Sequence, residues 1–409
     1  MKLALLGADA DSIALVCWAA NEGGHRIVVA YESQAFETEL TGLAPGIRVN
    51  NNWEELFLGS VADAVIIGRG GREAALEVNI DPAEHRADQL RKLTQAAVPM
   101  IVVCPACEAI VGFEIEMIRN DTKAVIVPYV PGEWRAAFGE LQDFVSWREN
   151  SPLGPIEQII FQREQKDRSR EAVLRQLARD ITLLRRLIGS IQTVTASGPP
   201  AAVGRDPLGP KVKELPSLAN LSVSFTGEEG LAARWSVAPA TRAGRARLSV
   251  IGERGDAILE MPNDGVWSLT VNAETETSEP RSQRHEAEVL FWQLKHAAAG
   301  EVPDEDAWLA ACRDQEAAEA VDRSLARSRT IELFNESHSE EQSFKGVMAM
   351  GGCLLLMGAL AVLFLVVLVE SLQLPIRGFL VWRLWPVYLL VPIVVFLMLQ
   401  FLQFAAKRR

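Results

Sequence analysis

Residues 2–32, KLALLGADADSIALVCWAANEGGHRIVVAYE, decide the fold of the N-terminal part of the chain. A short apolar run stops at Gly7, helical periodicity follows over Ser12–Asn21, and a second apolar run ends in the acidic Glu32. This is the opening of a βαβ unit. Further apolar runs lie at Ala64–Ile67, Met100–Val103 and Ala124–Val127, with helical stretches such as Glu84–Ala97 and Glu108–Arg119 between them. Strands alternating with helices predict an α/β Rossmann-type domain, a doubly wound parallel sheet, over residues 1–128. Such sheets take ligands in the crevice beyond the carboxyl ends of their strands. The turn after the first strand and the residue after the second are therefore the first places to look for a site.

Past Tyr129 the pattern changes. The stretch SPLGP and the Gly/Pro-rich segment Ser197–Pro216 punctuate runs with strand-like patterns at Gln158–Gln162, Leu221–Phe225, Arg247–Ile251, Ala257–Met261 and Trp267–Val271. They predict an α+β domain with an open, mainly antiparallel sheet over residues 129–333, closed by helices at Arg284–Ala299 and Asp304–Ser328. No internal repeat is visible. After a juxtamembrane linker, 334–345, the segment Gly346–Val369 runs without a charge. As a helix it would be about 36 Å long, against roughly 30 Å of bilayer hydrocarbon. A second apolar stretch covers 379–405, so the expectation is two transmembrane helices forming a hairpin, with the lipid bilayer as partner of residues 346–405. Trp382, Trp385 and Tyr388 suit an interfacial belt, and Arg383 can snorkel. Lys345, Lys407, Arg408 and Arg409 outnumber Arg377 and Arg383 of the connection, which places both chain ends in the cytoplasm. The N-terminus, with five apolar residues before Gly7, does not read as a signal peptide, which agrees.

The 409 residues, 49% hydrophobic and 23% charged, exclude a disordered chain and a small disulfide scaffold. There are 41 basic and 53 acidic residues, a net charge of −12, and the acidic excess lies entirely within residues 1–345. A soluble part of that sign repels a phosphate backbone, so nucleic acid is not an expected partner. The cysteines, Cys17, Cys104, Cys107, Cys312 and Cys353, are scattered without framework spacing, which fits a reducing compartment.

A dinucleotide-binding turn uses glycines to bring backbone close to a pyrophosphate at the next helix's N-terminus. Here the turn is Gly7-Ala8-Asp9-Ala10-Asp11-Ser12, with one glycine where that fingerprint has three, and with two carboxylates where phosphates would sit. Glu32 is placed to accept hydrogen bonds from a ribose and so to favour NAD(H) over its phosphorylated form. Gly7, Ala8, Asp9 and Glu32 are thus candidate cofactor-binding residues, the alternative being a degenerate turn beside a solvated glutamate. Cys104-Pro105-Ala106-Cys107 opens a helix after the strand MIVV. It reads either as a thiol redox pair with a thiolate stabilised by the helix end, or as a buried, inert pair; no metal site is expected. The helix bearing Val173, Leu177, Ile181, Leu184 and Ile188 also carries Arg168, Arg170, Arg175, Arg179, Arg185 and Arg186, which reads as a solvated basic face. None of the five histidines has an evident carboxylate partner by spacing.

The order of these features resembles the Gfo/Idh/MocA oxidoreductases over roughly residues 1–333. The resemblance rests on the Rossmann opening, on LGPIEQIIFQRE, on RARLSVIGERGDAILEM with Gly252 and Gly255, and above all on DEDAWLAACRDQEAAEAVDRSLARSRTIEL. It implies a Rossmann domain followed by an α+β domain, a bound nicotinamide, and oxidation or reduction of sugars or cyclitols. It also implies two groups that manage the hydroxyl proton: a lysine in a Glu-Lys-Pro, and a histidine with its carboxylate in Asp-x-Gly-x-His-x-x-Asp. Aligned on Pro105, the lysine position holds Cys104, which leaves Cys104 as the one weak catalytic candidate. The second motif falls on Arg175, Leu177, Arg179 and Thr182, with Asp180 one residue out of register. The leading expectation is a membrane-anchored, catalytically degenerate protein of this type, binding NAD(H) and serving as a binding or scaffold module. The alternatives are an active NAD(P)-dependent oxidoreductase with a relocated acid/base, and a thiol redox protein using Cys104 and Cys107. A homo-oligomer built through the sheet of the second domain is a further expectation.

Overall fold

The computed structural model describes residues 1–58, 61–71, 80–147, 150–199, 217–228, 230–240, 244–263, 265–273, 285–301 and 306–333, and part of 355–394. The chain divides into two compact units, Met1–Asn335 and Glu336–Arg409.

The first unit contains two sheets. Strands β1 (Lys2–Leu6), β2 (Arg26–Tyr31), β3 (Arg48–Asn50), β4 (Ala64–Ile67), β5 (Met100–Val103) and β6 (Ile126–Tyr129) are all parallel, in the order β3-β2-β1-β4-β5-β6. The order reverses at β1, which is the switch point where the crevice of a doubly wound sheet opens. Strands β4 and β5 are buried on both faces, which explains their unbroken apolar runs. Helices α1 (Ala10–Asn21), α2 (Glu37–Leu43), α3 (Pro82–Gln95) and α4 (Ala109–Thr122) supply the connections, and α5 (Ala136–Ser146) leads out of the sheet. Helix α1 starts where Asp9 caps it: the Asp9 carboxylate accepts from the Ser12 N–H at 2.8 Å, and Ser12 Oγ accepts from the Asp9 N–H at 2.8 Å.

The second sheet comprises β7 (Ile156–Gln165), β8 (Ile191–Ser197), β9 (Ser222–Gly227), β10 (Ala232–Pro239), β11 (Arg245–Gly252), β12 (Gly255–Pro262), β13 (Ser268–Ala273) and β14 (Ile331–Glu332), in the order β13-β12-β11-β7-β10-β9-β8-β14. Only the β7–β10 pair is parallel. Helix α6 (Arg170–Ile188), capped by Ser169 and stopped at Gly189, buries Val173, Leu177, Ile181 and Leu184 against this sheet. Strand β10 has no counterpart in the sequence reading, because its inward residues are Ala233, Trp235 and Val237 and its outward ones are small or charged, a weak apolar signal.

Two late helices return to the first sheet. In α7 (Glu286–Ala298), Leu290, Phe291 and Leu294 join the core beneath β1 and β5. In α8 (Ala307–Arg327), Trp308 and Cys312 join the core on the opposite face, while Ala317, Val321 and Leu325 pack into the second domain. Helix α8 thus belongs to both cores.

The expected spans 346–369 and 379–405 lie largely outside the described residues. Residues 357–369 are helical, with Phe364 and Val367 exposed. Among the described residues no helix is long and apolar enough to cross a membrane.

Candidate functional site

The crevice above β1 is closed by the chain itself. The loop after β4, Gly68-Arg69-Gly70-Gly71, lies directly on the turn after β1, with Gly68 N donating to Leu6 O and Gly70 N to Gly7 O, each at 3.0 Å. The two backbones are so close that a Cβ on Gly7, whose φ is +68°, would stand 2.7 Å from the Gly70 carbonyl oxygen. The glycine of the turn is therefore required by chain against chain. Arg69 leans over the helix start: its backbone N–H donates to Asp9 Oδ2 at 3.1 Å, its Nε donates to the same oxygen at 2.7 Å, and its Nη2 pairs with Asp11 Oδ2. Asp11 Oδ2 also accepts from Arg179 Nη2 of α6, across the domain boundary. Burial raises the Asp9 carboxyl, but Arg69 and the Ser12 N–H outweigh it and hold Asp9 below the usual carboxylate range. Two carboxylates and two guanidiniums make a neutral cluster at the end of a helix that would otherwise favour an anion.

Glu32 is not solvated. It is 5% exposed, adopts φ +49°, and Oε1 is 2.7 Å from His85 Nε2 and accepts from Gln89 Nε2 at 2.8 Å, both on α3. Its other oxygen is buried without a hydrogen-bond donor among the described residues. Beside it the buried Arg86 donates from Nη2 to Gly70 O at 2.5 Å; burial brings its guanidinium down to about 10, with Glu32 and Asp9 opposing. Helix α3 therefore brings His85 and Gln89 onto Glu32 Oε1 and Arg86 onto the adjoining loop. His85 has the carboxylate partner that sequence spacing does not show, because the partner is 53 residues away.

The face offered by α6 differs from the sequence reading in the same way. Only Arg175 has the expected exposed character, pairing with Glu171 one turn earlier. Arg170 meets Asp322, Arg179 meets Asp11, Arg185 Nε donates to Asp314 Oδ1 at 2.7 Å, and Arg186 Nε is 3.0 Å from Glu133 Oε1 while its guanidinium lies over the Trp134 ring. The basic stripe is an ion-paired seam. Leu177 is in the apolar core, and Asp180 points into the sheet, where Arg163 Nε donates to it at 3.0 Å and Trp235 Nε1 at 2.8 Å. Glu133 is the other unforeseen group: burial lifts its carboxyl to about 7, against the pull of Arg186 and Arg185.

Cys104 ends β5 and lines a small cavity with Cys107, Thr182, Trp308, Cys312 and Asp314. Burial, reinforced by Glu319, pushes the Cys107 thiol up to about 12; Cys104 and Cys312 are raised further, chiefly by burial and then by neighbouring Cys107. All three are free thiols. The proximity of the α4 N-terminus does not offset desolvation, so no thiolate is stabilised here. Among the described residues no group of three or more His, Cys, Asp or Glu side chains could hold a metal ion.

No family model matches the chain, and no curated protein sequence matches it. Solved structures do. An oxidoreductase of Thermotoga maritima superposes with a TM-score of 0.61 at 15% identity, over 81% of this chain and 98% of that one. A myo-inositol dehydrogenase of Corynebacterium glutamicum gives 0.58 at 18%, over 81% and 98%. The WlbA dehydrogenase of Chromobacterium violaceum, solved with NADH and UDP-GlcNAcA, gives 0.59 at 13%, over 82% and 97%. The likeness is one of fold. These neighbours are oxidoreductases of the Gfo/Idh/MocA type, and the parallel sheet, the mixed second sheet and their order along the chain are shared with them.

A dinucleotide does not fit the described residues as they stand. Asp9 already takes the first-turn N–H of α1, the 68–71 loop lies on the turn, and Glu32 Oε1 is taken by α3, its Oε2 alone being left without a donor among the described residues. A pyrophosphate would enter a neutral cluster and leave it with two uncompensated charges.

Proposed function

We propose that this chain is a non-catalytic protein of the Gfo/Idh/MocA fold, a binding or scaffold module held at a membrane by its C-terminal apolar segments. One observation carries the reading: the positions at which the enzymes of the resemblance would manage a phosphate or a hydroxyl proton are engaged by other side chains of the chain or buried. Oxidising an alcohol needs a group that takes its hydroxyl proton, worth roughly 10²–10⁴-fold. Cys104 stays protonated by burial, Arg179 is a guanidinium on Asp11, and Thr182 has no acid/base chemistry near neutral pH. NAD(H) binding is supported by the fold and by the neighbours' complexes, and it would require Asp9 and Asp11 to give way. The test is a panel of polyols and cyclitols with NAD⁺ and NADP⁺ on the full chain in detergent. Silence is expected, and steady turnover would overturn the reading.

Glu133 favours a second reading, an oxidoreductase with a relocated acid/base. A buried carboxyl near 7 is poised for proton transfer. Turnover in the panel that is abolished in Glu133→Gln, and kept in Cys104→Ala, would establish it. Two further parts of the proposal concern partners. The basic residues flanking the C-terminal segment support a hairpin with both ends on the cytoplasmic side. The outward face of the second sheet, polar with Ile160 and Ile258 near its centre, is offered to a second copy of the chain.

A further inference from the structure

The seam across the crevice has a direction: carboxylates come from the helix end where an anion would bind, and guanidiniums come from two separate elements that reach over it. Asp9 sits on the N–H of Ser12 as a bound anion would, at 2.8 Å. Asp11 sits one residue into the helix and is held by Arg69 from the loop after β4 and by Arg179 from α6 of the second domain. Loop 68–71 is locked onto the turn by two backbone hydrogen bonds of 3.0 Å, and the buried Arg86 fastens the same loop from beneath through Gly70 O. Apart from the Ser12 cap, none of these partners is local in sequence.

We infer that Asp9 and Asp11 are a built-in pseudo-ligand: they occupy the anion site of the Rossmann crevice, recruit Arg69 and Arg179 as a diphosphate would, and latch the two domains together across it. The charge count supports this. Four groups cancel, whereas a helix end with Arg69 and Arg179 alone would attract a dianion. Geometry supports it too, because Arg69 and Arg179 repel one another and are held together by Asp11, which pairs with both, and by Asp9, which pairs with Arg69. The inference rests on the non-catalytic reading and adds a cause to it: the crevice is closed by substitution of its ligand, so removing the carboxylates should reopen an anion site even where no reaction follows.

The experiment uses the full chain in detergent and two probes, inorganic pyrophosphate and NADH, followed by calorimetry. In Asp9→Asn/Asp11→Asn the cap is kept, since asparagine caps helices as well as aspartate does, while both charges are removed. The expected result is pyrophosphate affinity at least tenfold above the unaltered chain, with faster amide exchange in residues 68–71. Arg179→Gln is the second variant: it should loosen the crevice in exchange measurements and gain no affinity for either probe. A folded double variant that binds pyrophosphate no better than the parent overturns the inference, as does a parent chain that binds NADH at micromolar levels. Polyol turnover would overturn the non-catalytic reading instead, so the two can fail separately.

Discussion

Asp180 is the buried anion of the inward face of α6, and its replacement by alanine measures what that anchor contributes. Asp180 is 1% exposed and holds three partners: the Arg163 guanidinium, the Trp235 indole N–H at 2.8 Å and the Gln176 amide at 3.1 Å. Arg163 is itself largely buried, so Asp180→Ala leaves a desolvated cation without its counter-ion. Breaking a buried pair from one side costs about 3–5 kcal/mol, against a total stability of about 5–15 kcal/mol for a folded domain. The indole N–H loses its acceptor in the same event and is not a separate loss. Removing both charges, Arg163→Met with Asp180→Leu, leaves that N–H and the part-buried Gln176 amide without their acceptor and should cost about 1–3 kcal/mol. The double variant should therefore be more stable than Asp180→Ala. Urea unfolding of the full chain in mild detergent, followed by tryptophan fluorescence, reads both. A loss below about 1 kcal/mol for Asp180→Ala, or a double variant worse than the single one, would mean that Asp180 is not the buried anchor and faces the crevice after all.

Glu133 gives a pH signature. Burial lifts its folded carboxyl from the ordinary 4.5 to about 7, so the folded form keeps a proton that the unfolded chain releases between those values. Its stabilising contribution is full below the lower value and lost as pH climbs to the upper one, on the order of 3 kcal/mol, and Glu133→Gln should flatten that slope. With its thiol near 12, Cys107 should react with iodoacetamide at pH 7.5 at least 100-fold more slowly in the native chain than in urea; rapid native labelling would revive the thiol redox reading. Reporter fusions at Arg409 and within residues 373–378 should report opposite sides of the membrane, and same-side signals would remove the hairpin.

The β1–α1–β2 opening was legible because a parallel strand buried on both faces writes an unbroken apolar run and a capped helix writes Asp-x-x-Ser. The β11–β12 hairpin was legible for a related reason: Gly252 and Gly255 bracket a two-residue turn between alternating runs. The seam was not. Arg69, Glu133 and Asp314 lie 58, 53 and 129 residues from Asp11, Arg186 and Arg185 respectively, and a charge whose partner is remote looks the same in sequence as a solvated one. One signal was present: Gly68-Arg69-Gly70-Gly71 directly follows a strand neighbouring β1, and a glycine-rich loop there implies close backbone approach.

On the non-catalytic reading proposed above, loss of the crevice chemistry and gain of the seam are physically one change. An open crevice leaves polar groups of both domains in water, and a bound ligand satisfies them when it closes. Where the chain fills the crevice with its own side chains it must satisfy them from within, because each desolvated guanidinium left unpaired costs several kcal/mol. On α6 that requirement falls on three residues, and each has found a carboxylate: Arg179 on Asp11, Arg185 on Asp314, Arg186 on Glu133. Two of the acceptors, Asp11 and Glu133, belong to the first domain or its exit, and the third lies on the helix shared by both cores. The seam therefore ties the two domains to one another through ion pairs from three separate elements, the arrangement expected if, as proposed, the chain presents a constant surface.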